Sequence, residues 1–244
     1  MPLLDFLPIA LGDGLTGGFF TRHGGGSHAP FDSLNVGYGV GDDPLLVAGN
    51  RRRLQEHLGL NFLVSARQVH DDRILSISEP QARDCEHAGF DALITNQPGV
   101  GLLIQQADCQ AVVLHDPVNR VVANVHSGWR GSVANIIAKT IDRMTADFGS
   151  DPAQMAAAIS PSLGPCCAEF VHFLSELPKE FHAHQVRPAY FDFWAISRQQ
   201  LQEAGVLAAH IQTAAVCTRC DPNYFSYRRE GKTGRSATVI ALQR

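Results

Sequence analysis

The sequence holds no apolar run able to cross a bilayer: "VGLLI" and "AVVL" stop far short of the roughly 20 residues that a span requires. It also lacks a basic excess. Lys plus Arg total 20 against 24 for Asp plus Glu, and the net charge of -4 removes the electrostatic basis for nonspecific binding to nucleic acid or an anionic membrane. The expected partner is a small molecule. The opening stretch "MPLLDFLPIALGDG" interrupts its apolar residues with Asp5 and carries no basic residue before it, so we read no export signal there and expect a cytoplasmic protein. Repeats, charge blocks and low-complexity linkers are absent too. With 244 residues, 45% of them hydrophobic, the chain can bury a full core, and the expected organisation is a single domain over residues 1–244.

Disulfides are the least expected use of the six cysteines, because a cytoplasmic chain keeps its thiols reduced. Cys217 and Cys220 form one Cys-x-x-Cys, which together with Cys166 and Cys167 could build a four-thiolate zinc site. A half-motif is weak evidence, and these four read as reduced structural thiols. The common zinc deaminase signature, H-x-E followed by P-C-x-x-C, is missing: "GPCC" lacks the spacing and "CTRC" lacks the proline. A multicopper oxidase of the usual kind needs many histidine ligands, and the one His-x-His here is His182 and His184.

What is present alternates between strand-like and helical runs. "GDDPLLVAGNRRRLQEHLG" reads as a helix with Asp42 or Asp43 as N-cap, Pro44 at its first position and Gly59 as terminator. The glycine-dense "GGFFTRHGGGSHAPFDSLNVG" reads as a loop with strand edges. Short strands are expected at "LVSARQVH", "RILSIS", "DALITN" and "VGLLIQQ". "QAVVLHDPVNRVVANVHS" reads as a hairpin turning on "DPVN", in a register that sets Cys109 opposite His126. "SVANIIAKTIDRMTADFG" puts Val133, Ile136, Ile137, Ile141 and Met144 on one helical stripe ending at Gly149. A shorter helix is expected in "FWAISRQQLQEAG", and a closing hairpin in "YFSYRREGKTGRSATVIAL".

A Cys and a His facing each other across a hairpin can reach one metal ion. His70, at the end of another strand in "QVH", is the candidate third ligand. Three protein ligands leave a coordination position open, which is the pattern of a catalytic zinc site. A metal-free dyad, with His126 activating the Cys109 thiol as nucleophile, satisfies the same spacing. Arg130 sits in the turn opening the next helix, where backbone N–H groups favour an anion, and Arg22 lies in the glycine-rich "TRHGGGS".

The motifs "TRHGGGS", "PFDSLNVG", "QVH", "FDALIT", "GVGLLIQQADC", "HSGWRG", "GPCCAEF" and "FSYRREGKTGR" occur in the order seen in the YfiH family, also called the laccase-domain or polyphenol oxidase family. The chain resembles that family over nearly its whole length. The resemblance implies an α+β fold, a single laccase-like catalytic domain with mixed sheets layered α/β/β/α. It also implies zinc held by His70, Cys109 and His126, the three catalytic positions. Members similar to this chain are purine nucleoside phosphorylases of broad scope, accepting adenosine, inosine, guanosine and methylthioadenosine, and they deaminate adenosine; bacterial members are also linked to peptidoglycan editing. Arg22, Asn35 and Arg130 are the candidate contacts to nucleoside or phosphate. Copper-dependent polyphenol oxidation and a metal-free Cys/His hydrolase are the alternatives. Ala168 stands where such members commonly have an aromatic residue, and Ser127 where alanine is usual.

Overall fold

The computed structural model describes residues 3–244; Met1 and Pro2 of the N-terminal stretch lie outside it. The apolar runs around "DPVN" form an antiparallel pair, β8 (Gln110–Asp116) and β9 (Val121–Ser127), every residue of which is buried. A strand without alternation has both faces covered. This pair sits at the centre of a six-stranded sheet ordered β13 (Ile211–Thr213), β10 (Ala156–Ile159), β8, β9, β6 (Ala92–Thr95) and β4 (Ile74–Ile77). A second sheet runs β1 (Phe6–Pro8), β2 (Leu15–Phe20), β14 (Ser236–Leu242), β7 (Val100–Gln106), β3 (Phe62–Arg67) and β5 (Cys85–Ala88). β11 (Gln185–Arg187) and β12 (Tyr190–Phe191) make a separate ribbon.

Three apolar layers hold the sheets and helices together. Between the sheets, Phe19, Val64, Leu102 and Ile240 of one meet Leu93, Val113 and Val122 of the other. The intervening residues Val112, Leu114, Ala123 and Val125 point the other way, onto α3 (Ile136–Phe148) and α5 (Phe193–Glu203). On the far side, Phe20, Leu103 and Val239 pack against Leu54 of α1 (Pro44–Leu58). The order is helix, sheet, sheet, helix, an α+β architecture. The remaining helices are short: α2 (Trp129–Val133), α4 (Phe173–Glu176) and α6 (Tyr227–Glu230). Among the described residues no helix is long and apolar enough to cross a membrane.

α1 is as its caps dictate, with the Asp43 side chain accepting from Leu45 N and Gly59 left-handed at φ 65°. Several expectations are corrected. The hairpin pairs Ala111 with His126 and Asp116 with Val121, so Cys109 lies just before the ladder instead of opposite His126. The connection has four residues, not two, because a type I turn twists against a two-residue hairpin. Asp116 Oδ1 instead accepts from Val118 N and Asn119 N, and Arg120 turns the chain at φ 53°. The single long helix is two, α2 and α3, broken at Asn135, which adopts φ 53° and caps α3 with its own side chain. Val133 falls off the stripe and is exposed. The closing hairpin is a short helix followed by one strand. Gly17 and Gly18 lie within β2. A Cβ on Gly17 would sit 2.3 Å from Val239 O, so glycine is what lets β14 approach.

Candidate metal centre and its two clefts

Asp91, immediately before β6, has no solvent exposure. Its Oδ1 accepts from His70 N at 2.9 Å and its Oδ2 from Val69 N and Asp71 N, each at 3.1 Å. Three successive backbone N–H groups thereby wrap one carboxylate, and His70 takes φ 61° to make the wrap possible. The same Oδ1 receives His126 Nδ1–H at 2.8 Å. Burial pushes the Asp91 carboxyl upward, but the His126 and backbone hydrogen bonds outweigh it and hold it below its ordinary value. One carboxylate thus places a loop histidine and a strand histidine together. Their rings meet edge to face with centroids 4.8 Å apart.

Cys109 completes the group. The donor atoms of His70, Cys109 and His126 all lie within 4.8 Å of one another, and Cys109 Sγ is 3.9 Å from His70 Nε2. Burial raises the Cys109 thiol, and the charge and hydrogen bond of His126, then those of His70, more than reverse this and bring it down to about 6. Burial lowers the His126 imidazole, and the Cys109 and Asp91 anions carry it up to about 9. The thiolate is a soft anionic ligand, and a metal ion would take the place of the proton that His126 Nε2 shares with it. Gly128 supplies the space: a Cβ there would lie 3.1 Å from His70 Cδ2, 3.2 Å from Cys109 Sγ and 3.6 Å from His126 Cε1. Two imidazoles, one thiolate and a side-chain-free wall fit zinc with an open position, and the Asp91 hydrogen bond fixes the His126 tautomer so that Nε2 is the donor.

Of the three donors, Cys109 sits where two clefts meet. One, of about 380 Å³, is walled by Trp129, Leu163, Phe170 and Phe193, with Ala168 beside them. The other, of about 580 Å³, carries charged and amide side chains, among them His70, His126, Arg67, Gln68, Glu86 and Arg235. Cys109 and Tyr227 border both. Arg235 donates Nη1 to its neighbours' carbonyls, Thr233 O and Gly234 O, and forms no ion pair with any acidic residue among the described residues. A guanidinium without a carboxylate partner suits an anionic ligand.

The structure brings together His70, Cys109 and His126, and places the other three expected contacts at one remove. Arg130 is exposed within the first turn of α2, its guanidinium 4.3 Å above the Trp129 ring. Arg22 donates to Glu230 at 2.7 Å and lies over Phe225, holding the far end of α6 from the Tyr227 shared by the clefts. Asn35 is fully buried; its Oδ1 accepts from Gly37 N and Arg235 N, and its Nδ2 donates to Asp42 and Gly37 O. It thereby anchors the backbone of Arg235. Asn35→Ala is expected to cost about 2 to 4 kcal/mol, since two buried N–H donors lose their acceptor. Urea denaturation measures this, and a variant as stable as the parent would show that those donors find other partners.

Sequence reasoning missed Asp91, Asp108 and the aromatic wall. Asp108, at φ 87°, accepts from Thr218 Oγ1 and Arg228 N and so fixes the loop that presents Cys109. The available signal for Asp91 is an acid abutting the largely apolar run "ALI".

A family model described as multi-copper polyphenol oxidoreductase laccase matches residues 16–243. A purine nucleoside phosphorylase of Streptomyces griseus is 34% identical over 92% of this chain and 93% of its own. Another from Geobacillus stearothermophilus, YlmD, is 35% identical over 93% of this chain and 90% of its own. Among solved structures, hypothetical protein YfiH of Bacillus licheniformis superposes with a TM-score of 0.87 at 32% identity, covering 94% of this chain and 93% of that one. YlmD of Geobacillus stearothermophilus superposes with a TM-score of 0.86 at 31% identity, covering 97% and 94%.

Proposed function

The chain belongs to the multi-copper polyphenol oxidoreductase laccase family, and from that membership we propose that it is a zinc-dependent purine nucleoside phosphorylase of broad scope that also deaminates adenosine. Adenosine, inosine, guanosine and methylthioadenosine are its substrates, with phosphate as co-substrate. The observation that carries this reading is the position of Cys109, on the shared border of an aromatic cleft and a cleft that holds Arg235. A purine is a flat aromatic with polar edges, which suits walls of Trp129 and Phe170. A phosphate dianion suits the unpaired Arg235.

Phosphorolysis joins a phosphate oxygen to the ribose anomeric carbon while the glycosidic C–N bond breaks and its electron pair leaves with the base. The products are free purine and ribose 1-phosphate. His70, Cys109 and His126 would hold zinc, which when bound supplies Lewis acidity beside the nucleoside. Arg235 holds and orients phosphate; Asn35 positions Arg235, Arg22 positions α6, and Arg130 meets the nucleoside from the Trp129 edge. Deamination of adenosine replaces the exocyclic amine with water's oxygen, releasing ammonia and leaving inosine.

Metal-replete protein is expected to release free base from inosine only when phosphate is present, and to convert adenosine to inosine in phosphate-free buffer. Chromatography of the products reads both. No base release with phosphate and zinc supplied would sink the phosphorylase reading. Copper-dependent phenol oxidation is a second reading because two imidazoles and a thiolate also suit copper. It requires phenol turnover that rises with bound copper. The one other cluster of three or more donors among the described residues is all thiol, which offers no further imidazole ligands for a multicopper centre.

A further inference from the structure

Cys166, Cys167, Cys217 and Cys220 take no part in the centre described above, yet their four sulfurs lie within 4.8 Å of one another. Cys220 Sγ is 3.7 Å from Cys166 Sγ and 3.5 Å from Cys167 Sγ. A bonded pair would stand at about 2.05 Å. Four thiolates in a tetrahedron around one zinc, with bonds of about 2.3 Å, stand about 3.8 Å apart. The observed spacing is that of ligands.

Two loops far apart in sequence build the group, and both are shaped locally. Cys220 N and Asp221 N donate to Cys217 O, which curls the Cys-x-x-Cys into a turn. Cys167 N and Ala168 N donate to Gly164 O, which does the same for the paired cysteines. The loops are then laced by Thr218 N to Ser162 O at 3.0 Å.

The surroundings carry the charge such a site needs. Four thiolates around a dication leave a net charge of about -2. Gly164 N donates to Cys217 Sγ at 3.3 Å, and Arg219 Nη1 to Cys167 Sγ at 3.4 Å. Arg187 and Arg228 donate to the carbonyls of Cys166 and Cys167, bringing two more guanidinium groups against the same loop. Carboxylates and imidazoles are absent from the donor set, which makes it a soft site that selects zinc over magnesium or calcium.

We propose that Cys166, Cys167, Cys217 and Cys220 bind one zinc ion as four thiolates, a closed structural site separate from the His70, Cys109 and His126 centre. The ion fastens the wall of the aromatic cleft, Ala168 to Phe170, to the loop preceding α6. That loop and α6 reach the catalytic side directly, because Thr218 Oγ1 of the loop and Arg228 N of α6 both hold Asp108, the neighbour of Cys109.

The test uses the full chain with the other centre disabled by His70→Ala and Cys109→Ala. Protein purified under reducing conditions with zinc is expected to retain about one zinc per chain by elemental analysis, as a four-ligand site requires. Cobalt in its place is expected to give the intense thiolate-to-metal absorption of a tetrahedral sulfur site. Adding Cys166→Ser and Cys220→Ser removes both signals. Because that variant can fail to fold, thiol titration of the folded His70→Ala, Cys109→Ala protein supplies the independent reading: chelation is expected to expose four further reactive thiols. A folded double alanine variant that takes up neither metal, with all its thiols reactive beside stoichiometric zinc, overturns the proposal. So does a disulfide among the four found by mass spectrometry in reduced, zinc-supplied protein.

Discussion

Cys109→Ala protein is expected to release base from inosine on the order of 1,000-fold more slowly than the parent, about 4 kcal/mol of barrier. Its far-ultraviolet circular dichroism is expected to stay unchanged. Cys109 is half-buried in a loop outside the apolar layers, so its removal leaves the packing intact. What it removes is the one anionic donor between two imidazoles. The two clefts would persist while the centre between them lost its cation. Zinc content and turnover should therefore fall together.

A second arm separates zinc from a nucleophilic thiol. Chelation of the parent leaves Cys109 in place and is expected to abolish turnover, which zinc then restores. Alkylation of Cys109 also abolishes it, but zinc does not restore it. A chelated protein with full activity would favour the metal-free dyad, since the geometry also lets His126 activate Cys109.

The sequence makes some of this visible and hides the rest for identifiable reasons. α1 is legible at both ends because its signals are local: Asp43 caps its own helix and Gly59 supplies the left-handed stop. The break at Asn135 is hidden because the apolar period continues across it, while Asn tolerates φ 53° and its side chain restarts the next helix. β5, with "CEHA", carries no apolar run because it is an edge strand with one face exposed in part. Cys109 and His126 were expected to converge, and they do, though through a different register. The side chain of Cys109 reaches back from the residue before the ladder, in a loop whose bend at Asp108 depends on Thr218 and Arg228. Contacts a hundred residues away leave no trace in local spacing. The case for His70 as a ligand rests on resemblance, because its position is set by a carboxylate 21 residues further along the chain.

That carboxylate is the basis of the second large effect. Asp91→Asn is expected to weaken zinc binding roughly 10- to 100-fold, the usual consequence of losing a ligand's outer hydrogen-bond partner. The substitution preserves shape, yet every neighbour of Asp91 is a donor. Oδ1 faces His70 N and His126 Nδ1, and Oδ2 faces Val69 N and Asp71 N. An amide has one acceptor to offer. With its oxygen toward His126 and His70, its NH2 confronts two backbone N–H groups; flipped, it confronts His70 N and the imidazole, and drives the His126 proton to Nε2, where the metal must bind. Either way the loop that presents His70 loses part of its anchor. Loss of those bonds in a fully buried position is expected to cost about 2 to 5 kcal/mol of stability as well. Asp91→Ala should be worse for folding, because it leaves all four donors unpaired. Calorimetric zinc titration and thermal melting read the two effects separately. If Asp91→Asn bound zinc as tightly as the parent, the tautomer of His126 would not be what this carboxylate controls, and its role would reduce to holding the loop.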